Sequence, residues 1–411
     1  MSINAADTAW VLISAAMVML MTPGVAFFYG GMVRRKNFLS TLMMSFITLG
    51  LIGLLWVIYG YSLSFGPDKW GIIGGLNFFG LNGVGQGPSL FYAQTIPQLA
   101  FAAFQMMFAV ITVALITGAV VERIKFSSLL VFSALWFTLV YCPVTHWVWG
   151  GGWLYKMGFL DFAGGTVVHI TAGVSALALA TILGARKGYH EGERMDPSNI
   201  PMVLLGAGIL WFGWFGFNAG SALTSGGLAS SAFMGTYIAG AAGAITWMVI
   251  GWCYQRPTVL GVATGAVAGL ATMTAAAGFV QPIMGIPIGI AAALIGYYCM
   301  VFRAKKTRID ESLDVWAVHG MGGTFGTLAV GFLASAAVNP SGSNGLFYGH
   351  GAQVLVQLVG IAAVWAFAFV VTWGLGKLVD VTMGLRVSAT EESVGLDISQ
   401  HGERAYGGHL R

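Results

Sequence analysis

Apolar positions along this chain come in long blocks. They do not follow the short alternation of a soluble strand or the three-to-four-residue rhythm of an amphipathic helix. A helix needs about 20 mostly apolar residues to cross a bilayer. Blocks of that length fall at 9–31, 38–61, 96–120, 127–145, 162–185, 201–220, 231–253, 258–277, 284–303, 314–336 and 351–378. The pattern predicts an all-α membrane protein of about eleven transmembrane helices. Between the blocks, segment 62–95 is rich in Gly, Asn and Pro, and 336–350 is a second polar loop. After about residue 380 the chain turns polar, with Glu391, Glu392, Asp397 and Glu403. We therefore expect a transmembrane domain over 1–380 and a tail over 381–411. The opening MSINAADTAW carries no basic stretch and no cleavage site follows it, so the first block reads as a transmembrane helix and not as a leader.

Composition agrees with lipid as the solvent. Only 8% of the 411 residues are charged, against about 25% in ordinary soluble domains. The 60 glycines suit helices packed closely in a membrane, where small residues let backbones approach. Charge then sets the orientation, because loops flanking transmembrane helices are basic on the cytoplasmic side. With the N-terminus outside, 17 of the 19 Lys and Arg residues lie in inner loops or the C-terminal end, leaving Lys69 and Lys156 outside. The opposite orientation would reverse that ratio, so the chain reads as N-out and C-in. The net charge of +4 reflects these loops and does not suggest nucleic acid. Cys142, Cys253 and Cys299 form no paired motif, which argues against a disulfide framework or a metal site.

Two blocks carry an acid followed by a histidine. Asp161 opens the fifth and precedes His169 by eight residues; Asp314 opens the tenth and precedes His319 by five. The histidines sit five spans apart, and because five is odd the second set of five runs inverted relative to the first. That arrangement places a site near the midplane, where the repeats meet, and leaves the eleventh helix outside the repeat. A histidine within the membrane is costly and faces a bundle interior or a pathway. Two at matching positions favour a shared pore site over two separate packing histidines. For the two acids, helix capping is the simpler reading. We expect it to hold for Asp314. Asp161, on the outer side where a cation would arrive, could also act indirectly by holding backbone carbonyls. Phe104, Phe108, Trp149 and Phe217 lie near outer span ends, where aromatic faces could hold a cation, and Ser221 could add an acceptor. Their pattern alone does not single them out from ordinary packing.

The segments TPGVAFFYGGMVRRKN (22–37), AFQMMFAVITVALITGAVVERIKF (103–126), HWVWGGGWL (146–154), DFAGGTVVHITAG (161–173), GWFGFNAGSA (213–222), LDVWAVHGMGGTFGT (313–327) and GLDISQHGERAY (395–406) resemble the signatures of the ammonium transporter family, in order and over nearly the whole chain. The resemblance implies a homotrimer in the cell membrane with one pore per subunit. It makes His169 and His319 the twin pore histidines, and Phe108 and Phe217 a stacked gate. Phe104, Phe108, Trp149 and Ser221 become an outer ammonium vestibule, with Asp161 the buried acid beside it. Thr274 matches a threonine on the inner side of the pore, although Ala275 replaces the proline common after it. The tail resembles a region that couples subunits and meets PII-type signal proteins.

That reading implies transport of ammonium or ammonia, with methylammonium as an analogue, and neither enzymatic chemistry nor a cofactor. Ammonium and potassium share a charge and a similar size, but only ammonium can shed a proton and cross an apolar pore. Other readings are an ammonium sensor of the same fold and a neutral gas channel of Rhesus type. The absence of a fused signalling domain speaks against the first, and Trp149 with Ser221 against the second.

Overall fold

The structure, a computed structural model, describes residues 2–254 and 256–406. Among these residues nine helical segments are long and apolar enough to cross a membrane: α1 (Ala5–Met32), α2 (Arg35–Phe65), α3 (Gln98–Thr117), α4 (Phe126–Met157), α5 (Gly165–Leu183), α6 (Ile200–Ala219), α7 (Gly227–Tyr254), α9 (Pro282–Lys306) and α11 (Ala352–Met383). The two remaining expected spans are shorter helices. These are α8 (Val259–Met273) and α10 (316–333). The block at 258–277 outruns α8 because the chain leaves the helix after Met273 and turns through 274–279. The block at 314–336 shortens because helical geometry begins only after Asp314, whose φ of 58° is left-handed. Segment 62–95 forms two small antiparallel hairpins, 68–74 and 88–97, over one end of the bundle.

The helices pair as two sets. α1 packs along α6 and α5 against α10, so equivalent members of the two expected five-helix sets meet at the centre. α11 lies outside both, against α5, α4 and α10. The central crossing is close because glycines meet there. A Cβ on Gly173 would collide with the Gly320 nitrogen, and one on Gly323 with the Gly165 carbonyl. Backbone contact of this kind is how membrane helices gain packing without a hydrophobic driving force.

Several helices widen into i→i+5 turns, a geometry enriched at functional sites. Three of these turns, 165–170, 215–219 and 316–320, carry His169, Phe217 and His319. The wider turn re-aims side chains that a regular helix would leave a third of a turn away.

The end that the charge distribution assigns to the cytoplasm, called inner from here on and the opposite end outer, is held by buried charge. Glu122 is fully buried and pairs with Arg34 at 2.9 Å and Arg186 at 3.2 Å, while Arg186 also pairs with Asp310 at 2.8 Å. Burial opposes the Glu122 carboxylate, but Arg186 and Arg34 hold its pKa below the usual range. The tail docks on this platform as two short helices, α12 (Ala389–Val394) and α13 (Leu396–His401). Ser388 caps α12 in a reciprocal box with Glu391. Glu392 accepts from Arg386 and from the Lys187 amide, Asp397 accepts from the Ser40 amide, and the Leu396 amide donates to Asn37. The sequence suggested contacts to a neighbouring subunit. Within the chain, the tail's contacts go to its own inner loops, because it returns directly beneath the 1–2 and 5–6 connections. Residues 407–411 of the expected tail, including Arg411, lie outside the described residues.

Candidate substrate pathway

An outer cavity of about 260 Å³ opens at the end bearing the hairpins. Trp149, Asp161 and Ser221 line it together with Phe101, Gln105 and Tyr92. The Trp149 indole donates to the Asp161 carbonyl at 2.8 Å, which locks the ring and leaves its face free. The Ser221 hydroxyl donates to the Phe217 carbonyl at 2.8 Å, so its oxygen can still accept from a cation. Asp161 cannot reach a cargo. Its two oxygens take the amides of Gly164, Gly165, Thr166 and Val167 at 2.8–3.0 Å. It therefore organises backbone amides at the start of α5, and not carbonyls as the sequence reading had it.

Beneath the cavity Phe108 meets Phe217 with ring centroids 4.4 Å apart and planes tilted by 43°. The expected stack is thus a tilted contact, set by Phe217 leaving a widened turn of α6. Phe104 packs edge-on against Phe108 at 4.9 Å. It is fully buried and stands behind the gate ring, not on the cavity wall.

Past these rings the lumen narrows to about 10 Å³, barely the room of one water, between Val25, Ile111, Leu115, Leu210 and Val267. His169 and His319 face it. Their Nδ1 atoms lie 3.2 Å apart and their rings are nearly parallel, 19° apart at 5.1 Å. A bond between two Nδ1 atoms requires one to donate and the other to accept. With both rings neutral, one imidazole then keeps a bare Nε2 and the other carries an Nε2–H. The Nε2 of His169 has no partner among the described residues. The pair thus offers the lumen one acceptor and one donor.

Thr274 is the site residue that moved most. It was expected on the inner side of the pore. Instead the Ala163 amide donates to the Thr274 carbonyl, which places it at the same end as Asp161. The reason is direction: α8 starts by the inner cavity and ends toward the outer one. Its hydroxyl accepts from the Trp214 indole at 2.9 Å, and Trp214 lies 5.6 Å from His169 in a near-parallel stack. Sequence reasoning passed over Trp214, although it sits three residues before Phe217 and so on the same face of α6. It also passed over Glu311, whose place in a short loop carries no periodic signal.

Below His319 an inner cavity of about 520 Å³ is lined by Phe28, Tyr29, Thr264, Asp314 and others. Asp314 was expected to cap α10. Its side chain instead pairs with Arg303 at 2.9 Å, and the Trp316 amide donates to Glu311 at 3.1 Å. The left-handed backbone at Asp314 turns its carboxylate away from the helix start, which leaves capping to Glu311.

The family model of the Ammonium Transporter Family matches residues 9–406. The ammonium transporter Amt1 of Archaeoglobus fulgidus is 52% identical over 400 residues, covering 97% of this chain and 99% of that protein. The ammonium transporter of Bacillus subtilis is 48% identical over 401 residues, with 97% and 98% covered. The crystal structure of Saccharomyces cerevisiae Mep2 superposes with a TM-score of 0.88 at 36% identity, over 94% of this chain and 88% of that one. The chain belongs to the ammonium transporter family. It is a multi-pass membrane transporter and not an enzyme.

Proposed function

We propose that this chain moves ammonium by collecting it in the outer cavity, removing its charge at the phenylalanine gate, and passing ammonia along the twin histidines. The observation that carries this reading is the paired imidazoles in an otherwise apolar lumen too narrow for a hydrated ion. An ion that keeps its charge there loses its water and finds no counter-charge, a cost of several kcal/mol or more. Ammonium can leave its proton behind; potassium cannot. The acceptor and donor presented by His169 and His319 match ammonia, which both donates and accepts, and they offer a route for a separately relayed proton. Trp149 and Ser221 supply a cation-holding face and a hydroxyl acceptor on the outer side. In proteoliposomes with an ammonium gradient, His169→Ala with His319→Ala should abolish the ammonium-driven current. A wild-type current in that double variant would sink the mechanism.

The chain works in this proposal as a homotrimer with one pore per subunit. The docked tail supports a second reading, regulation from the cytoplasmic side by a PII-type protein. Fixed contacts from Glu392, Leu396 and Asp397 to two inner segments are unlike a frayed end. Truncation after residue 385 should leave an inserted trimer whose flux is reduced or unregulated; flux and regulation like the full chain's would make the tail dispensable.

A further inference from the structure

We propose that His146 is a positioning residue for the outer cation site: as an imidazolium it clasps the 68–74 hairpin to the turn that carries Trp149, and so sets the affinity of the outer face for ammonium. The inference rests on the reading that ammonium is collected in the outer cavity. It adds the group that holds the collecting ring in place.

His146 lies near the outer end of α4, three residues before Trp149, and is fully buried. Its Nδ1 lies 2.9 Å from the Ser64 carbonyl oxygen at the outer end of α2, and its Nε2 lies 2.9 Å from Asp68 Oδ1. A carbonyl can only accept. Asp68 is an acceptor too: burial opposes its carboxylate, but Lys156, His146 and the Gly71 amide hold its pKa down to about 2. Both ring nitrogens therefore face acceptors, and only a ring with two N–H groups satisfies both. A neutral ring would set a bare nitrogen against one of these oxygens inside the fold, which costs free energy. The ion pair with Asp68 compensates the burial of the charge.

The ring touches the backbone of the outer site itself. A Cβ on Gly150 would collide with the Ser64 carbonyl and with His146 Nδ1, so the residue after Trp149 is folded directly onto the imidazole and its acceptor. The His146 carbonyl takes the amides of Gly150 at 3.0 Å and Gly152 at 2.9 Å. From the hairpin, the Gly71 carbonyl takes the Trp153 amide at 3.0 Å and the Ile72 carbonyl takes the Trp147 indole at 2.9 Å. Hairpin and turn are thus laced on either side of Trp149, with His146 and Asp68 as the charged tie. Trp149 is fixed at its ring by the Asp161 carbonyl and at its backbone by this clasp.

Other titratable groups around the clasp are Lys156 on the second oxygen of Asp68, the Cys142 thiol one turn back on α4, and the Tyr92 and Tyr155 hydroxyls. Up to about pH 8 the lysine ordinarily stays charged and the thiol and hydroxyls neutral. The imidazolium is the member that can lose its charge below that value. Positioning and charge then predict opposite signs. If the imidazolium acted only by repelling a cation, losing it would strengthen the outer site. If it holds the Trp149 turn, losing it weakens the site.

The experiment uses the full chain in proteoliposomes of known sidedness, with ammonium steps on the outer face between pH 5.5 and pH 8. In the wild type the half-saturating ammonium concentration should rise with pH. His146→Gln should raise it about tenfold at pH 5.5, as expected for losing a charged hydrogen bond, leave the maximal current within about twofold, and remove the rise with pH. Asp68→Asn should raise it in the same way. Lys69→Gln, an equal loss of positive charge on the exposed neighbour of Asp68, should stay within about twofold of the wild type. A merely structural role would lower the maximal current and leave the pH slope as it was. A wild-type value that is flat or falls with pH overturns the proposal whatever the variants do, as does a wild-type slope in His146→Gln. Half-saturation unmoved by Trp149→Leu would instead overturn the outer-cavity reading beneath it.

Discussion

Asp161 and Asp314 stand at matching places in the two halves, each just ahead of a helix that carries a pore histidine. Their surroundings could hardly differ more. Asp161 lies under the outer cavity with four backbone amides on its two oxygens and no capacity left for a cargo. Asp314 lies on the inner cavity wall, holds Arg303 with one oxygen, and has passed the capping of its helix to Glu311. The outer acid is therefore an element of architecture that shapes the start of α5, while the inner acid is held by an arginine on the wall of a cavity. A repeat conserves the position of a residue more readily than its task, because the task depends on what the neighbouring loops bring. In the first half those are glycines with free amides; in the second they are Arg303 and a second acid.

The largest test of this contrast is Asp161→Ala. It leaves four buried N–H groups without their acceptor, and a buried donor left unsatisfied costs about 1–3 kcal/mol. Thermal unfolding of the detergent-solubilised protein should show a large loss. Asp314→Asn should lose less than half as much, since Arg303 keeps the Ile309 carbonyl at 2.8 Å. Equal losses would mean that both acids are structural.

A smaller effect separates the acids by pH. Burial, and then the neighbouring Asp314 carboxylate, push the Glu311 carboxyl up to about 7. An unfolded glutamate titrates near about 4.3. Between those values the folded chain holds a proton that the unfolded chain has released. The stability this group contributes is complete below the lower value and is lost as pH rises through about 7. Glu311→Gln mimics the protonated form. Its melting temperature should fall less than the wild type's between pH 5 and pH 8. An unchanged slope would show that Glu311 stays ionised in the fold.

Much of this protein is legible in the chain. Blocks of about 20 apolar residues leave no choice but helices in lipid, because every backbone group must be satisfied within its own segment. The position of two histidines in the fifth and tenth blocks was enough to draw them toward a shared site, and seven motifs named the family. What the sequence could not supply is which side-chain atoms meet. The Nδ1 contact between His169 and His319 depends on widened turns and on Gly173, Gly320 and Gly323 letting two helices touch. Thr274 reached the outer end, and the tilt of Phe108 on Phe217 replaced a stack, for reasons of helix direction and turn geometry. The exchange of roles between Asp314 and Glu311 follows from a single left-handed residue. Apolar periodicity is a local property and survives in one dimension. Hydrogen-bond partners more than a hundred residues apart are decided only when the helices cross, and it is there that one aspartate becomes a cap and the other keeps a free oxygen.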